Sequence, residues 1–383
     1  MSLLSPYVRQ LDALGARGRA RHLEPAAGVD FSSNDYLGLA SDPLIAAAVG
    51  AAIARGVPVG SGGSRLLRGN APEHEALEAQ AAGFFGSEAA LYLANGFAAN
   101  VALLSTLPRA GDLIVADALV HASMHDGIRQ SKARSRFVAH NDANAVEQAI
   151  SGWRVGGGTG TPWIVAETLY SMDGDLAPIG DLADIAGRHD AMLLFDEAHA
   201  TGVFGAGGRG LAAHLDGEEN VITLHTCGKG LGVEGALVCA ARPLIDTLIN
   251  KARPFIFSTA PSPLMAVAVG ASLDRIGGAD GDALRAALAG RVKAAEEHIC
   301  KPLGLAAPLS QIVPVIVGDD RSAMALARAC RNAGYDVRGI RPPTVLAGTA
   351  RLRLSITLNA TNADITALGE LLRRLVGAKD AAA

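Results

Sequence analysis

Between residues 90 and 240, short apolar runs alternate with stretches whose apolar positions recur at helical spacing. The runs predict strands at 90–93 (ALYL), 113–116 (LIVA), 163–166 (WIVA), 191–195 (AMLLF), 221–225 (VITLH) and 236–240 (ALVCA). Several intervening segments, 180–189 among them, are long enough for crossover helices. Continuous apolar strands alternating with helices predict an α/β fold with a largely parallel sheet covered on both faces. Helical periodicity is also present at 41–55 and 72–84, the latter with Pro72 at its start and Glu73, Glu75 and Glu78 in its early turns. Near residue 275 the pattern changes. A helix over 282–299, a strand over 311–317, a helix over 321–333, a strand over 351–357 and a helix over 363–376 predict a smaller α+β domain. Residues 1–25 read as an amphipathic arm ending in Arg17, Arg19 and Arg21. The expected organisation is an arm at 1–45, a large domain at 46–275 and a small domain at 276–383, with the final AKDAAA frayed.

Composition narrows the function. The 383 residues carry 34 basic and 38 acidic side chains, a formal net charge of −4. That balance lacks the positive footprint of a nucleic-acid-binding protein. Aromatics are 4% of the chain and glycines number 45, so aliphatic side chains must build the core. Four cysteines at 227, 239, 300 and 330 show no CxxC pair, and the first residues do not resemble a secretory signal. The expectation is a reduced, cytoplasmic protein. Two uncharged windows, 89–108 and 254–273, contain polar residues, glycine or proline and read as buried core, not membrane spans.

Four motifs invite a wrong reading. Asp196-Glu197-Ala198-His199 spells a helicase box, yet no GxxxxGK[ST] phosphate loop accompanies it. Gly205 to Gly210 matches GxGxxG but lies several residues past a strand in mid-chain, which favours a flexible glycine loop. His121 and His125 have zinc-like i, i+4 spacing without a third ligand. Ser61 and Ser64 lack the GxSxG order of a nucleophile elbow.

Polar residues instead gather just beyond the predicted strand ends, where parallel sheets bind ligands. Asp196 and His199 follow 191–195, Thr226 and Cys227-Gly228-Lys229-Gly230 follow 221–225, and Tyr170-Ser171-Met172-Asp173-Gly174 follows 163–166. Asn95-Gly96-Phe97 follows 90–93, and Asp117, then His121, follows 113–116. Each has a plain structural reading: a helix cap, a solvated lysine, a satisfied histidine, a turn hydroxyl. Together they suit an aldehyde cofactor bearing a phosphate. A lysine amine can condense with the aldehyde, an aspartate can pair with a pyridinium nitrogen, and hydroxyls with glycine amides can hold the phosphate. Of the six lysines (132, 229, 251, 293, 301 and 379), Lys229 alone follows an apolar strand and sits between two glycines.

The segments FSSNDYLGL (31–39), GSGGS (60–64), NGFAAN (95–100), HAS (121–123), AHND (139–142), YSMDGD (170–175), DEAHATGV (196–203), TCGKG (226–230), FST (257–259) and IRPPTVLAGTARLRLS (340–355) span nearly the whole chain. In them the sequence resembles the α-oxoamine synthases, fold-type I pyridoxal 5'-phosphate transferases, and most of all their biotin-biosynthesis branch. The resemblance implies a large domain with a mainly parallel seven-stranded sheet and a smaller C-terminal domain. It implies that Lys229 carries pyridoxal phosphate and serves as base, that Asp196 pairs with the ring nitrogen, and that His121 stacks on the ring. Ser171 and His199 would lie near the cofactor O3′, and Thr226 with the amides of Gly96 and Phe97 near its phosphate. Arg353 would hold the amino-acid carboxylate. Arg341 and Thr344, with Arg21 and Asn34, are candidates for the acyl site. The implied reaction is decarboxylative condensation of L-alanine with a pimeloyl thioester of CoA or carrier protein. Glycine C-acetyltransferase, 5-aminolevulinate synthase and serine palmitoyltransferase-like activities are the alternatives. A homodimer is implied, with Ser258 and Thr259 reaching the neighbour's phosphate. Leu346 and Gly232-Val233-Glu234-Gly235-Ala236 depart from the branch's usual pattern.

Overall fold

The computed structural model describes residues 2–380 and side chains to residue 376. The end of the AKDAAA segment, residues 381–383, and the Lys379 side chain lie outside the described residues. Two compact units are present. One comprises Leu37–Ser171 and Asp175–Ala286; the other comprises the chain through Tyr36, Met172–Gly174, and the chain from Ala287 onward.

The larger unit is built on a seven-stranded sheet. Its strands are β1 (Ala89–Leu93), β2 (Leu113–Asp117), β3 (Arg134–Val138), β4 (Pro162–Glu167), β5 (Met192–Asp196), β6 (Val221–Thr226) and β7 (Ala236–Ala240). Their spatial order is β1-β7-β6-β5-β4-β2-β3. The pairs β3/β2, β2/β4, β4/β5 and β5/β6 are parallel, while β7 runs antiparallel to both β6 and β1. The expected mainly parallel α/β sheet is therefore present. β3, with sequence RSRFV, was not predicted. It is an edge strand with four exposed residues, and its alternating arginines give no apolar run to detect.

Period-2 alternation sorts the strand residues onto two cores. Ile114, Ala116, Trp163, Val165, Leu194, Ile222 and Leu224 pack on one face. Val115, Ile164, Ala166, Leu193, Phe195 and Val221 pack on the other. The same alternation aims the last residue of each strand. Glu167, Asp196 and Thr226 follow the first face, which is covered by the helices Gly96–Thr106 (α1) and Ala122–Gln130 (α2). Asp117 follows the second. Asn95 caps α1 by accepting from the Ala98 amide at 2.8 Å. His121 caps α2, its Nδ1 accepting from the Ser123 amide at 3.3 Å.

The smaller unit carries a three-stranded antiparallel sheet of β8 (Ile312–Gly318), β9 (Arg338–Ile340) and β10 (Ala350–Ser355), in the order β9-β10-β8. The predicted helix at 321–333 runs Asp320–Asn332, and the last helix runs Asn362–Asp380. The helix predicted at 282–299 runs Ala279–Ala295 and ends in a π turn, Glu296–Cys300. The amphipathic arm forms the helix Ser5–Ala16, none of whose residues is buried.

Candidate active site

At the carboxyl end of β5, Asp196 is buried and fully engaged. Its Oδ1 accepts from the Ala198 amide at 2.9 Å and its Oδ2 from Asn100 Nδ2 at 2.8 Å. Asn100 lies on α1, on the face that β5 alternation presents to Asp196. The same Asn100 Nδ2 donates to Ser123 Oγ at 3.0 Å, and Ser123 Oγ lies 2.7 Å from His121 Nδ1. Because Nδ1 also accepts from the Ser123 amide, the His121 proton resides on Nε2. Desolvation is the largest influence on His121 and holds it below its ordinary pKa; Asp196 pulls it up and Lys229 pushes it down.

Lys229 follows β6 in a tight turn closed by Val233 N to Cys227 O and Gly232 N to Lys229 O. A Cβ at Gly230 would lie 2.3 Å from Thr201 O, so this turn requires glycine for close approach. Lys229 Nζ is 2.9 Å from Nε2 of the buried His199. Thr226, at the end of β6, faces the start of α1. A Cβ at Gly96 would sit 2.5 Å from Thr226 Oγ1. The first amides of a helix have no intrahelical acceptor; Asn95 caps the Ala98 amide, and those of Gly96 and Phe97 lie at the same helix start.

Glu167 is the residue that sequence reasoning missed most. It pairs in register with Asp196, is buried, and keeps Oε1 without a hydrogen-bond partner; the amides of Ser171 and His121 are near enough to pull its pKa down. Burial, then the charge of Asp196, pushes its carboxyl up to about 8. Asn100 and Ser123 were also missed as site residues. All three lie within or beside segments that carried the resemblance, but their partners are distant in sequence.

Thr259 is exposed and lies outside the Lys229–Asp196 network; its neighbour Ala260 is anchored to Gly63 O. The decoys have structural explanations. Glu197 accepts from Thr168 Oγ1 and from the amides of Leu211 and Ala212. A Cβ at Gly210, φ +110°, would strike the Glu197 carboxylate, so the glycine-rich loop wraps a buried acid. His125 stacks on Phe137, and no metal-ligand cluster occurs among the described residues.

In the smaller unit, Arg353 is buried and donates to Ser355 Oγ at 2.7 Å, Asn34 Oδ1 at 3.0 Å and Tyr36 Oη at 3.3 Å. These acceptors are neutral oxygens. Arg341 is 8% exposed, donates to Ala20 O at 2.7 Å, and keeps a buried Nε with no hydrogen-bond partner. Arg21 lies 3.4 Å from Thr344 Oγ1.

Residues 26–370 match the class I and II aminotransferase family. The chain is 39% identical over 381 residues to the 8-amino-7-oxononanoate synthase of Chromobacterium violaceum, covering 97% of this chain and 98% of that protein. It is 40% identical to the Geobacter sulfurreducens synthase of the same name, covering 92% and 89%.

The chain belongs to the 8-amino-7-oxononanoate synthase family of class I and II aminotransferase-fold proteins.

Among solved structures, it is similar to serine palmitoyltransferase of S. paucimobilis, solved with a pyridoxal-phosphate–myriocin adduct (TM-score 0.87, 27% identity, 99% of each chain). It is also similar to the 8-amino-7-oxononanoate synthase of Francisella tularensis (TM-score 0.77, 27% identity, 92% and 98%). The family is one of fold-type I acyltransferases that use pyridoxal phosphate, and this chain is a pyridoxal-phosphate enzyme. Its residues fit that cofactor. An amine, a buried carboxylate, two helix-start amides and a hydroxyl lie at or just beyond the carboxyl ends of β1, β5 and β6, and the glycine cradle at position 96 admits no side chain.

Proposed function

We propose that this acyltransferase of biotin biosynthesis condenses L-alanine with a pimeloyl thioester, releasing CO2 and the free thiol and forming 8-amino-7-oxononanoate. Near-full-length identity to synthases of that name supports the reaction. The observation that carries the acyl assignment is Arg341. It is a guanidinium more than nine-tenths buried whose Nε has no hydrogen-bond partner. Leaving such a group unsatisfied is costly, and a carboxylate is its natural ligand. Pimeloyl and succinyl chains end in a carboxylate, whereas a palmitoyl or acetyl chain ends in a methyl, so Arg341 argues against the latter two.

Bound pyridoxal phosphate supplies an electron sink for the pair released when a bond to the amino-acid Cα breaks. Lys229 Nζ would hold the cofactor, and its amine would be the base for the alanine Cα proton. His199, 2.9 Å from Nζ, orients that amine. Asp196 holds a proton at the ring nitrogen, and Asn100 fixes the carboxylate for that purpose. His121, neutral with its proton on Nε2, and Ser171 would help to hold the cofactor ring. The Gly96 and Phe97 amides and Thr226 would hold the phosphate, with Thr259 reaching it from the second copy of a dimer. Arg353 binds the alanine carboxylate, with Asn34 and Tyr36 orienting its guanidinium. Arg341, with Arg21 and Thr344, binds the distal pimeloyl carboxylate.

A homodimer is part of this reading. Leu3, Leu4, Tyr7, Val8 and Leu11 on the N-terminal arm are more than half exposed, a surface suited to cover by a second copy. So is a cytoplasmic location, with four free, buried cysteines and no helix among the described residues long and apolar enough to cross a membrane. The test is thiol release with L-alanine, glycine and L-serine against pimeloyl, acetyl, succinyl and palmitoyl thioesters. Turnover confined to alanine with pimeloyl supports the proposal; turnover only with another pair overturns it.

A further inference from the structure

The AHND segment places His140 between two carboxylates on the sheet face opposite Asp196. His140 Nδ1 lies 2.9 Å from Asp117 Oδ1, and Nε2 lies 2.7 Å from Asp175 Oδ2. Carboxylates only accept, so both ring nitrogens donate and the ring is an imidazolium. Asn141 reinforces the bridge. Its amide donates to Asp117 Oδ2 at 2.7 Å and its Nδ2 to Asp175 Oδ2 at 2.8 Å. Asp117 ends β2, whereas Asp175 closes the 170–175 loop that carries Ser171. Tyr170 completes the surroundings, its ring edge-on to His140 at 4.4 Å. Sheet alternation explains the arrangement, since Asp117 follows Leu113 and Val115 on the second face.

We propose that His140 is a positioning residue: by bridging Asp117 and Asp175 it holds the 170–175 loop, and with it Ser171, at the carboxyl end of β2. The consequence for the cofactor rests on the placement of Ser171 proposed above; the bridge itself does not. Among the groups facing His140, burial acts to lower its pKa, but Asp117 and Asp175 outweigh it and hold the imidazole above its ordinary value. Tyr170 stays neutral, its phenol pushed up by burial and by Asp117. A raised histidine pKa gives a contribution that is complete at low pH and is lost as pH rises through the folded value. The loop is therefore tightest below that pH.

Hydrogen–deuterium exchange of the pyridoxal-phosphate-loaded protein tests this. Peptides covering 168–176 are compared with a reference covering 89–106, at about pH 6 and about pH 9 after correction for intrinsic rates. The wild type is expected to lose about tenfold protection in 168–176 on going to high pH, with the reference unchanged. His140→Gln and Asp175→Asn are expected to lack that step and to show low protection at both pH values. Titration of the His140 ring by NMR should give a midpoint above that of an unperturbed histidine, falling in Asp175→Asn. The proposal is overturned if protection in 168–176 matches wild type in both variants, or if His140 titrates at or below the unperturbed value. Asp175→Asn serves if His140→Gln does not fold. None of these readouts involves the amino acid or thioester, so a failed substrate assignment leaves them intact.

Discussion

Asn100 Nδ2 donates to Asp196 Oδ2 at 2.8 Å, joining the start of α1 to the end of β5 inside the buried site. The same amide donates to Ser123, which lies against His121 Nδ1. One side chain thus orients both the acid assigned to the cofactor nitrogen and the histidine assigned to its ring. Asn100→Ala is expected to weaken pyridoxal-phosphate affinity about tenfold or more, the effect of removing one donor from a buried charge. Asn100→Asp should be worse, because it sets a second carboxylate against Asp196. Fluorescence titration of cofactor-stripped protein measures both; affinities equal to wild type contradict the role.

Glu167 gives a stability prediction with a definite sign. Its folded pKa of about 8 lies above the ordinary value of 4.5. Between those values the folded state binds the extra proton, so this residue's contribution falls as pH rises from about 5 to about 8. Glu167→Gln stays neutral throughout. The variant should gain on wild type by on the order of a few kcal/mol across that window. Thermal melts of cofactor-free protein at a series of pH values measure it; parallel curves contradict it.

The Gly96 cradle predicts a coupled pair. Gly96→Ala places a Cβ 2.5 Å from Thr226 Oγ1 and should displace the start of α1, lowering cofactor affinity about tenfold. Adding Thr226→Ala removes that oxygen, so the double variant should lose less than the sum of the two single variants. Additive losses in a double-mutant cycle contradict the contact.

Arg353 and Arg341, both buried, are proposed to take different carboxylates. Arg353→Ala should raise KM for L-alanine by about 10–100-fold, and Arg341→Met should raise KM for the pimeloyl thioester by a similar factor. Each should leave the other substrate's KM within about threefold. Crossed effects in steady-state kinetics contradict the assignment.

The apolar central strands were legible because burial on both faces leaves uninterrupted aliphatic runs. β3 was not, because an exposed edge strand reads as polar sequence. The strand-end positions of Asp196, Thr226 and Lys229 followed from those runs alone. Glu167, Asn100 and Ser123 required the three-dimensional register, since 96 positions separate Asn100 from its partner Asp196. His140 lay in a segment of the resemblance with no role attached. Its two carboxylates come from a strand end and a separate loop, which sequence spacing does not reveal. The glycine loop at 205–210 mimics a dinucleotide motif because wrapping a buried glutamate also requires residues without a Cβ.

The most direct test of the substrate assignment is to follow carboxyl-labelled L-alanine with a pimeloyl thioester. Labelled CO2 is expected in equal amount to free thiol, with an unlabelled product of the mass of 8-amino-7-oxononanoate. Thiol release with the label retained in the product, or no turnover of this pair while another amino acid and acyl chain react, would contradict it.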